Sequence, residues 1–246
     1  MGRAKEIRVK VIPAKIANDF VKKHHYSGKV VPNSNLHFGA FLDGRLHGVM
    51  SYGCSMDKRK TLSLVRDTPW NDMLELNRMA FDDCLPKNSE SRCISVSFKL
   101  IKKNAPNIKW IISFADGCQC GDGTIYRASG FLLTGVKVNK TILRMPDGSV
   151  VADKTLNNSN FKKIGQSAGF WKKNGAKPIG GFQLRYIYFL DPTYKEKLTC
   201  PILPFSKIDE MNARMYKGEK LSPRSKDSVA SGFQSEGGGA NPTLGL

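Results

Sequence analysis

Long apolar runs are missing from this chain of 246 residues, and with them any stretch near the roughly 20 apolar residues that span a bilayer. The opening MGRAKEIRVKV has no apolar core of a secretory leader. Glu6 stands where an N-myristoylation signal carries Ser or Thr. Cysteine is sparse: the six residues at 54, 84, 93, 118, 120 and 200 form no CxxC pair and no zinc-binding spacing. Cys118-x-Cys120 reads as a reduced pair without a role rather than a chelate, and Cys84 and Cys93, among apolar neighbours, as small core residues. There is no internal repeat. These absences exclude a membrane protein and a disulfide scaffold and leave an expectation of a cytosolic chain. Its 40% hydrophobic and 24% charged residues are ordinary globular values.

Acidic residues are the scarce charge, 21 against 39 basic, for a formal net charge of +18. Residues 217–246 carry only four of the basic groups and three of the acidic ones, so the excess belongs to the body of the chain. A basic folded body points to a polyanion, nucleic acid first; a charge serving only solubility is the alternative. From residue 221 onward Ser, Gly and Pro dominate, and 217–246 is expected to be a disordered tail behind one catalytic domain, 1–216.

Residues 6–12 alternate as a strand, and Ile16, Ala17, Phe20 and Val21 recur at helical spacing behind Pro13. Residues 36–41 and 46–52 are strands joined at Asp43-Gly44, a hairpin signal. A loop at 57–60, a strand at 74–79 and a helix from about 90 to 103 follow. Trp110-Ile111-Ile112 opens a buried strand that stops at Asp116-Gly117, and 123–130 reads as a short helix. Residues 131–135 and 136–144 are strand, 154–181 is irregular, and 183–190 is a last strand. This order predicts one α+β sheet with antiparallel and parallel parts, covered by helices.

Polar clusters sit where these elements start or stop. His24-His25-Tyr26 ends the first helix, as a solvated cap or a catalytic group. Arg78, between apolar neighbours in a strand, needs an anion, either Asp82 or a ligand. Ser89, Ser91 and Arg92 open a helix, where free N–H groups cap or hold phosphate or carboxylate. Tyr126, expected to face Asp116, is a general acid or only an anchor for its helix. Between Val136 and Lys177 nine Lys or Arg stand against Asp147 and Asp153. In this basic insertion, about 137–181, Lys162, Lys163, Lys172, Lys173 and Lys177 suit DNA phosphates and Trp171 an unstacked base; a solvated loop with its aromatics tucked into a core is the alternative.

NRMAFDD ahead of a helix resembles the GNAT acyltransferase fold, which implies a mixed, centrally split sheet. The glycine-rich loop that cradles coenzyme A in that fold is absent here, replaced by Lys87-Asn88-Ser89-Glu90-Ser91-Arg92. HHYSGKVV, ELNRMAFDD, NSESR and GDGTIYRASGF together, over about residues 6–191, resemble the bacteriophage Mom family of DNA-modification proteins. That resemblance implies conversion of adenine in double-stranded DNA to its N6-carbamoylmethyl derivative, in the cytoplasm of an infected host, as protection from restriction. It also implies an active-site set of His25, Tyr26, Arg78, Ser91, Asp116 and Tyr126.

A glycyl group on the adenine amine is an isomer of the carbamoylmethyl product. An acyltransferase with an activated glycyl donor, such as glycyl-tRNA, therefore suffices, with Ser89, Arg92 and Arg78 on the donor. A coenzyme A thioester suits the missing loop less well. Iron on His25 (or His24), Tyr26 and Asp116 is a variant that no spacing demands. The competing readings are a coenzyme A-dependent N-acyltransferase acting on a small amine or protein and a basic protein that shields DNA by occupancy.

Overall fold

A computed structural model describes residues 3–117, 121–158, 160–216 and 219–220. After a 3₁₀ turn at Arg3–Glu6, the chain runs β1 (Arg8–Val11), α1 (Ala14–His24), β2 (Ser34–Leu42), β3 (Arg45–Gly53), α2 (Lys58–Leu62), β4 (Met73–Phe81), α3 (Ser89–Asn104) and β5 (Trp110–Asp116). Then come α4 (Thr124–Ala128), β6 (Leu132–Asn139), β7 (Ile142–Arg144), β8 (Val150–Ala152), α5 (Asp153–Asn158), α6 (Asn160–Lys163), α7 (Ala168–Lys173), β9 (Lys177–Pro178) and β10 (Gly181–Phe189). A 3₁₀ segment at Pro192–Lys197, α8 (Ser206–Glu210), β11 (Met215–Tyr216) and β12 (Glu219–Lys220) close the described chain. The expected disordered tail, 217–246, lies outside the described residues apart from β12, as does Cys118-x-Cys120.

Seven strands form one sheet in the order β1-β2-β3-β4-β5-β10-β6. Every pair is antiparallel except β4–β5, whose parallel direction needs the long crossover that α3 supplies. The β2–β3 hairpin turns at Asp43-Gly44 with φ of +50° and +76°, the two left-handed residues that a two-residue turn requires.

The parallel pair explains where a cleft opens. β4 and β5 are in register only over Met73–Trp110, Leu74–Ile111 and Glu75–Ile112, although β4 runs on to Phe81 and β5 to Asp116. At the point of divergence Ser113 Oγ donates to the Leu76 carbonyl at 3.2 Å, a side chain standing in for the lost ladder bond. This is the mixed, centrally split α+β sheet that the resemblance implies.

Apolar side chains sort onto two faces by strand alternation. On one face α3 lays Ile94, Phe98 and Ile101 against Phe38, Tyr52, Leu76, Ile111 and Ala115. Tyr52 is fully buried and its hydroxyl meets Ser97 Oγ at 2.6 Å, which satisfies both groups inside the core. On the other face α1 packs Ala17 and Val21 over Val49 and Ala80, and Val65 with Met73 covers Trp110, Ile112 and Ile187.

Several local expectations need correction. Cys93 is buried, and burial pushes its thiol up to about 12, but Cys84 is exposed rather than a core residue. Residues 57–60, expected as loop, lead into α2, because the Asp57 carboxylate accepts from Lys60 N at 3.4 Å and caps it. β6 runs unbroken across Gly135 and stops at Asn139, whose Oδ1 accepts from Thr141 N at 3.0 Å and turns the chain. Residues 154–181 are not irregular: they hold α5, α6, α7 and β9. With β7 and β8 they enclose a small separate core of Leu143, Met145, Leu156, Ala168 and Ala176.

Candidate active site

Where β4 leaves β5, β4 also bulges. Its register with β3 shifts between Ser51–Arg78 and Tyr52–Leu76, so Asn77 has no cross-strand partner. The bulge and the split together open a cavity of about 500 Å³ lined by Leu76, Asn77, Arg78, Phe81 and Phe114 among others. Asn77 itself is buried, its Oδ1 accepting from Ser34 Oγ at 3.0 Å.

Arg78 is half-buried at this bulge. Its Nε donates to the Lys29 carbonyl at 3.1 Å and Nη1 to the Asn77 carbonyl at 3.0 Å. Asp82, the partner weighed from sequence, is taken by His47, whose Nδ1 lies 2.9 Å from its Oδ2. Among the described residues no carboxylate pairs with Arg78, so a fixed cation with free N–H groups faces the cavity. Such a group recruits a carboxylate or phosphate.

The opposite wall is the start of α4. Gly123 has φ of +76°, and a Cβ there would stand 2.5 Å from the Tyr186 ring, so only glycine fits. Tyr186 in turn donates its hydroxyl to the Asp122 carbonyl at 2.6 Å. Asp122 Oδ1 accepts from Thr124 Oγ1 at 2.7 Å and Thr124 N at 3.2 Å, and Oδ2 accepts from Arg214 Nε at 3.3 Å. These contacts hold Tyr126 with its ring 5.1 Å from Tyr186 and 5.2 Å from Phe131. Tyr126 is half-buried and lines the cavity.

His25 and Tyr26 form the rim, their rings 4.2 Å apart. Burial, and next the neighbouring Arg78 charge, lower the His25 pKa from 6.5 to about 4, so the ring is neutral near pH 7. Ser27 N donates to Nδ1 at 3.2 Å, which puts the imidazole proton on Nε2. In this tautomer His25 offers a hydrogen-bond donor, not a base, at Nε2. The unfolded chain takes up a proton below pH 6.5 that the folded chain refuses until about 4, so His25 contributes a loss of stability as pH falls through that window. A His25→Gln variant is expected to lose less stability between pH 7 and 4 than the unaltered protein. Urea midpoints at each pH measure this, and equal slopes would refute it.

The structure brings His25, Tyr26, Arg78 and Tyr126 into one cavity. Ser91 lines an adjoining hollow of about 270 Å³ that shares Glu90, Thr124 and Ile125 with it. Ser89 is fully buried and donates its hydroxyl to the Pro86 carbonyl, which ties the helix start to the preceding turn and turns the hydroxyl away from a donor. Arg92 donates to the Lys5 carbonyl at 3.0 Å in a third hollow. Asp116 does not face Tyr126. Strand alternation puts it with Trp110, Ile112 and Phe114, whereas Ile111 and Ala115 share the face on which Tyr126 packs. Asp116 is absent from the cavity that His25 and Tyr26 line, so the three residues are not gathered there as a set for iron. His24 stacks on Phe20 at 4.2 Å instead.

In the insertion, Lys162, Lys163, Lys173 and Lys177 are exposed. Lys172 pairs with Asp153 at 2.9 Å, and Trp171 packs on the small core, whereas the neighbouring Phe170 ring is exposed at 40%. Asn77 and Glu90, neighbours of the residues singled out from sequence, also line the cavity, as do Phe114, Asp122 and Arg214, which sequence reasoning missed. Asp122-Gly123-Thr124 carried a readable helix-start signal. Arg214 carried none, since its partner lies 92 positions away.

The family model described as the Mom protein family matches residues 6–207. The chain is 34% identical over 202 residues to methylcarbamoylase mom of Escherichia phage Mu, covering 81% of this chain and 82% of that one. Among solved structures, an acetyltransferase from Bacillus subtilis in complex with CoA aligns over 74% of this chain and 98% of its own, at 12% identity and a TM-score of 0.44. The ribosomal-protein-S18-alanine N-acetyltransferase from Escherichia coli aligns over 75% and 94%, at 8% identity and 0.42. Structural likenesses this loose carry no argument about activity. The family match spans most of the chain and all four motifs that line the cavity, and the chain belongs to the Mom protein family.

Proposed function

We propose that this protein is a transferase that modifies phage DNA, converting adenine to N6-carbamoylmethyladenine in the cytoplasm of the infected host. The observation that carries the reading is convergence. HHYSGKVV contributes His25 and Tyr26, ELNRMAFDD contributes Arg78, NSESR contributes Glu90 and GDGTIYRASGF contributes Tyr126 to one cavity. The identity to a methylcarbamoylase agrees with it. A cavity of about 500 Å³ admits a single base and not a duplex, so the adenine enters extruded from the stack between Tyr26, Phe81 and Tyr126. The exposed lysines 162, 163, 173 and 177 hold the phosphates, with Phe170 rather than Trp171 as the free aromatic.

The donor is an activated glycine, glycyl-tRNA by class, which a chain of formal charge +18 attracts. The adenine amine attacks the glycyl ester carbonyl; the ester C–O bond breaks, Tyr126 protonates the departing ribose oxygen, and the proton lost by the attacking amine restores the Tyr126 hydroxyl. Nε2–H of neutral His25 stabilises the oxyanion between these steps, and Arg78 holds donor phosphate. The freed glycyl amine then attacks the ring carbon that bears the exocyclic nitrogen, closing a five-membered ring. Cleavage of the old carbon–nitrogen bond leaves the carbamoylmethyl group, with no atom gained or lost. The glycine nitrogen ends on the purine ring and the original adenine nitrogen becomes the outer amide.

DNA incubated with the protein and tRNA charged with ¹⁵N-glycine tests both halves. The expected nucleoside carries the label on the nitrogen bonded to the ring. A product that stops as N6-glycyl adenine, with the ¹⁵N in a terminal primary amine, removes the rearrangement, and modification from a coenzyme A thioester alone removes the donor. Tyr126→Phe is expected to bind DNA unchanged and to lose roughly 10²-fold or more in modification, the usual contribution of a general acid. Shielding by occupancy predicts instead that protection disappears when the DNA is deproteinised.

A further inference from the structure

Outside the cavity, one cluster of side chains combines three metal-ligand chemistries. His47 lies on β3, and Asp82 and Cys84 lie in the link from β4 to α3. One ligand atom from each, an imidazole nitrogen, a carboxylate oxygen and a thiol sulfur, falls within 4.8 Å of the other two. The pair His47 and Asp82 is largely shielded, at 17% and 18% side-chain exposure, and Cys84 is open to solvent.

Backbone contacts set the three side chains together. Asp82 N donates to the His47 carbonyl at 3.0 Å, which fixes the two backbones relative to each other. Asp82 Oδ1 accepts from Cys84 N at 3.0 Å, so its Oδ2 is the oxygen turned to His47 Nδ1, 2.9 Å away. A carboxylate oriented by one oxygen and ligating with the other is the usual supporting arrangement of a metal site. Neutral imidazole, carboxylate and thiolate suit a borderline divalent cation.

We propose that His47, Asp82 and Cys84 bind one divalent cation of the zinc class, with solvent in the fourth position. Ligand atoms on a tetrahedral ion with bonds of about 2.0–2.3 Å stand about 3.3–3.8 Å apart. The His47–Asp82 pair, 2.9 Å apart, therefore opens by about 0.4 Å to admit the ion, while the sulfur of the exposed Cys84 link, within 4.8 Å of both, moves to complete the set. Binding releases the thiol proton, and the imidazole proton moves from Nδ1 to Nε2, so uptake is favoured as pH rises. None of the three lines the catalytic cavity, but the link they hold joins Phe81 to Glu90, which both do. The ion clamps β3 to that link and steadies one side of the cavity without entering the chemistry.

Cobalt(II) titrated into the reduced full-length protein is the direct test, read by optical absorption. Cys118 and Cys120 are first replaced by Ser so that the CxC pair cannot contribute. One equivalent is expected to give a saturable thiolate-to-cobalt charge-transfer band with tetrahedral visible intensity, displaced by zinc. Cys84→Ser, at an exposed position, is expected to keep the fold by circular dichroism and to lose the band. Asp82→Asn and His47→Gln are each expected to weaken binding by roughly 10-fold or more. No charge-transfer band, or one that survives Cys84→Ser, overturns the proposal.

Discussion

Replacing Arg78 by alanine is expected to lower adenine modification by about 10²- to 10³-fold while leaving a folded protein. The guanidinium sits at the β4 bulge and spends two of its N–H groups on the Lys29 and Asn77 carbonyls. Those bonds fix its direction without neutralising it. Removing one partner of a buried, hydrogen-bonded charge pair costs about 2–5 kcal/mol, and each 1.4 kcal/mol is tenfold in rate or affinity. The structural cost is smaller, because only two carbonyl acceptors lose a donor, about 1–2 kcal/mol at a half-buried site. Arg78→Lys keeps the charge but loses the fork, so it is expected to recover only a small part. Nucleoside mass spectrometry on DNA from expressing cells measures the first effect and urea unfolding the second. Unchanged modification by the alanine variant would remove Arg78 from the site.

Trp110→Ala is expected to destabilise the fold by about 3–5 kcal/mol, the range for truncating a large buried aromatic. Against a typical total of about 5–15 kcal/mol this threatens folding itself. Trp110 is fully buried among Val65, Met73, Ile112 and Ile187, and its Nε1 donates to Thr68 Oγ1 at 3.0 Å. It also stands opposite Met73 at the closed end of the short parallel pairing. Losing it therefore loosens the hinge from which the catalytic split opens, and modification falls with stability. Trp110→Phe fills most of the space and gives up the Thr68 bond, for about 1 kcal/mol. Urea midpoints separate the two variants; equal midpoints for all three proteins would show that this end of the sheet does not hold the fold.

Local patterns carried much of the architecture. Asp43-Gly44 specifies its hairpin because a two-residue turn needs left-handed residues. Trp110-Ile111-Ile112 specifies a strand buried on both faces, and the order of elements leaves α3 as the crossover between parallel neighbours. The insertion was less legible, since α5, α6 and α7 have six residues or fewer, too short for periodicity to show, and α5 and α7 are held by a shared small core.

The site divides in the same way. His25, Tyr26, Arg78 and Tyr126 were legible because each breaks the pattern of its own element: polar groups at a helix end, an arginine amid apolar strand residues, a tyrosine behind a glycine start. Residue type and short-range spacing singled these residues out, and the family resemblance chose among the readings they left open. Tertiary structure alone decided the rest. A bulge at Asn77 set the register of β4, His47 took Asp82 from Arg78, the pleat turned Asp116 away from Tyr126, and Arg214 came from far along the chain to Asp122. Each of these outcomes is a competition between distant groups for one hydrogen-bonding partner or one face of the sheet. Such competitions are settled only when the strands are in register.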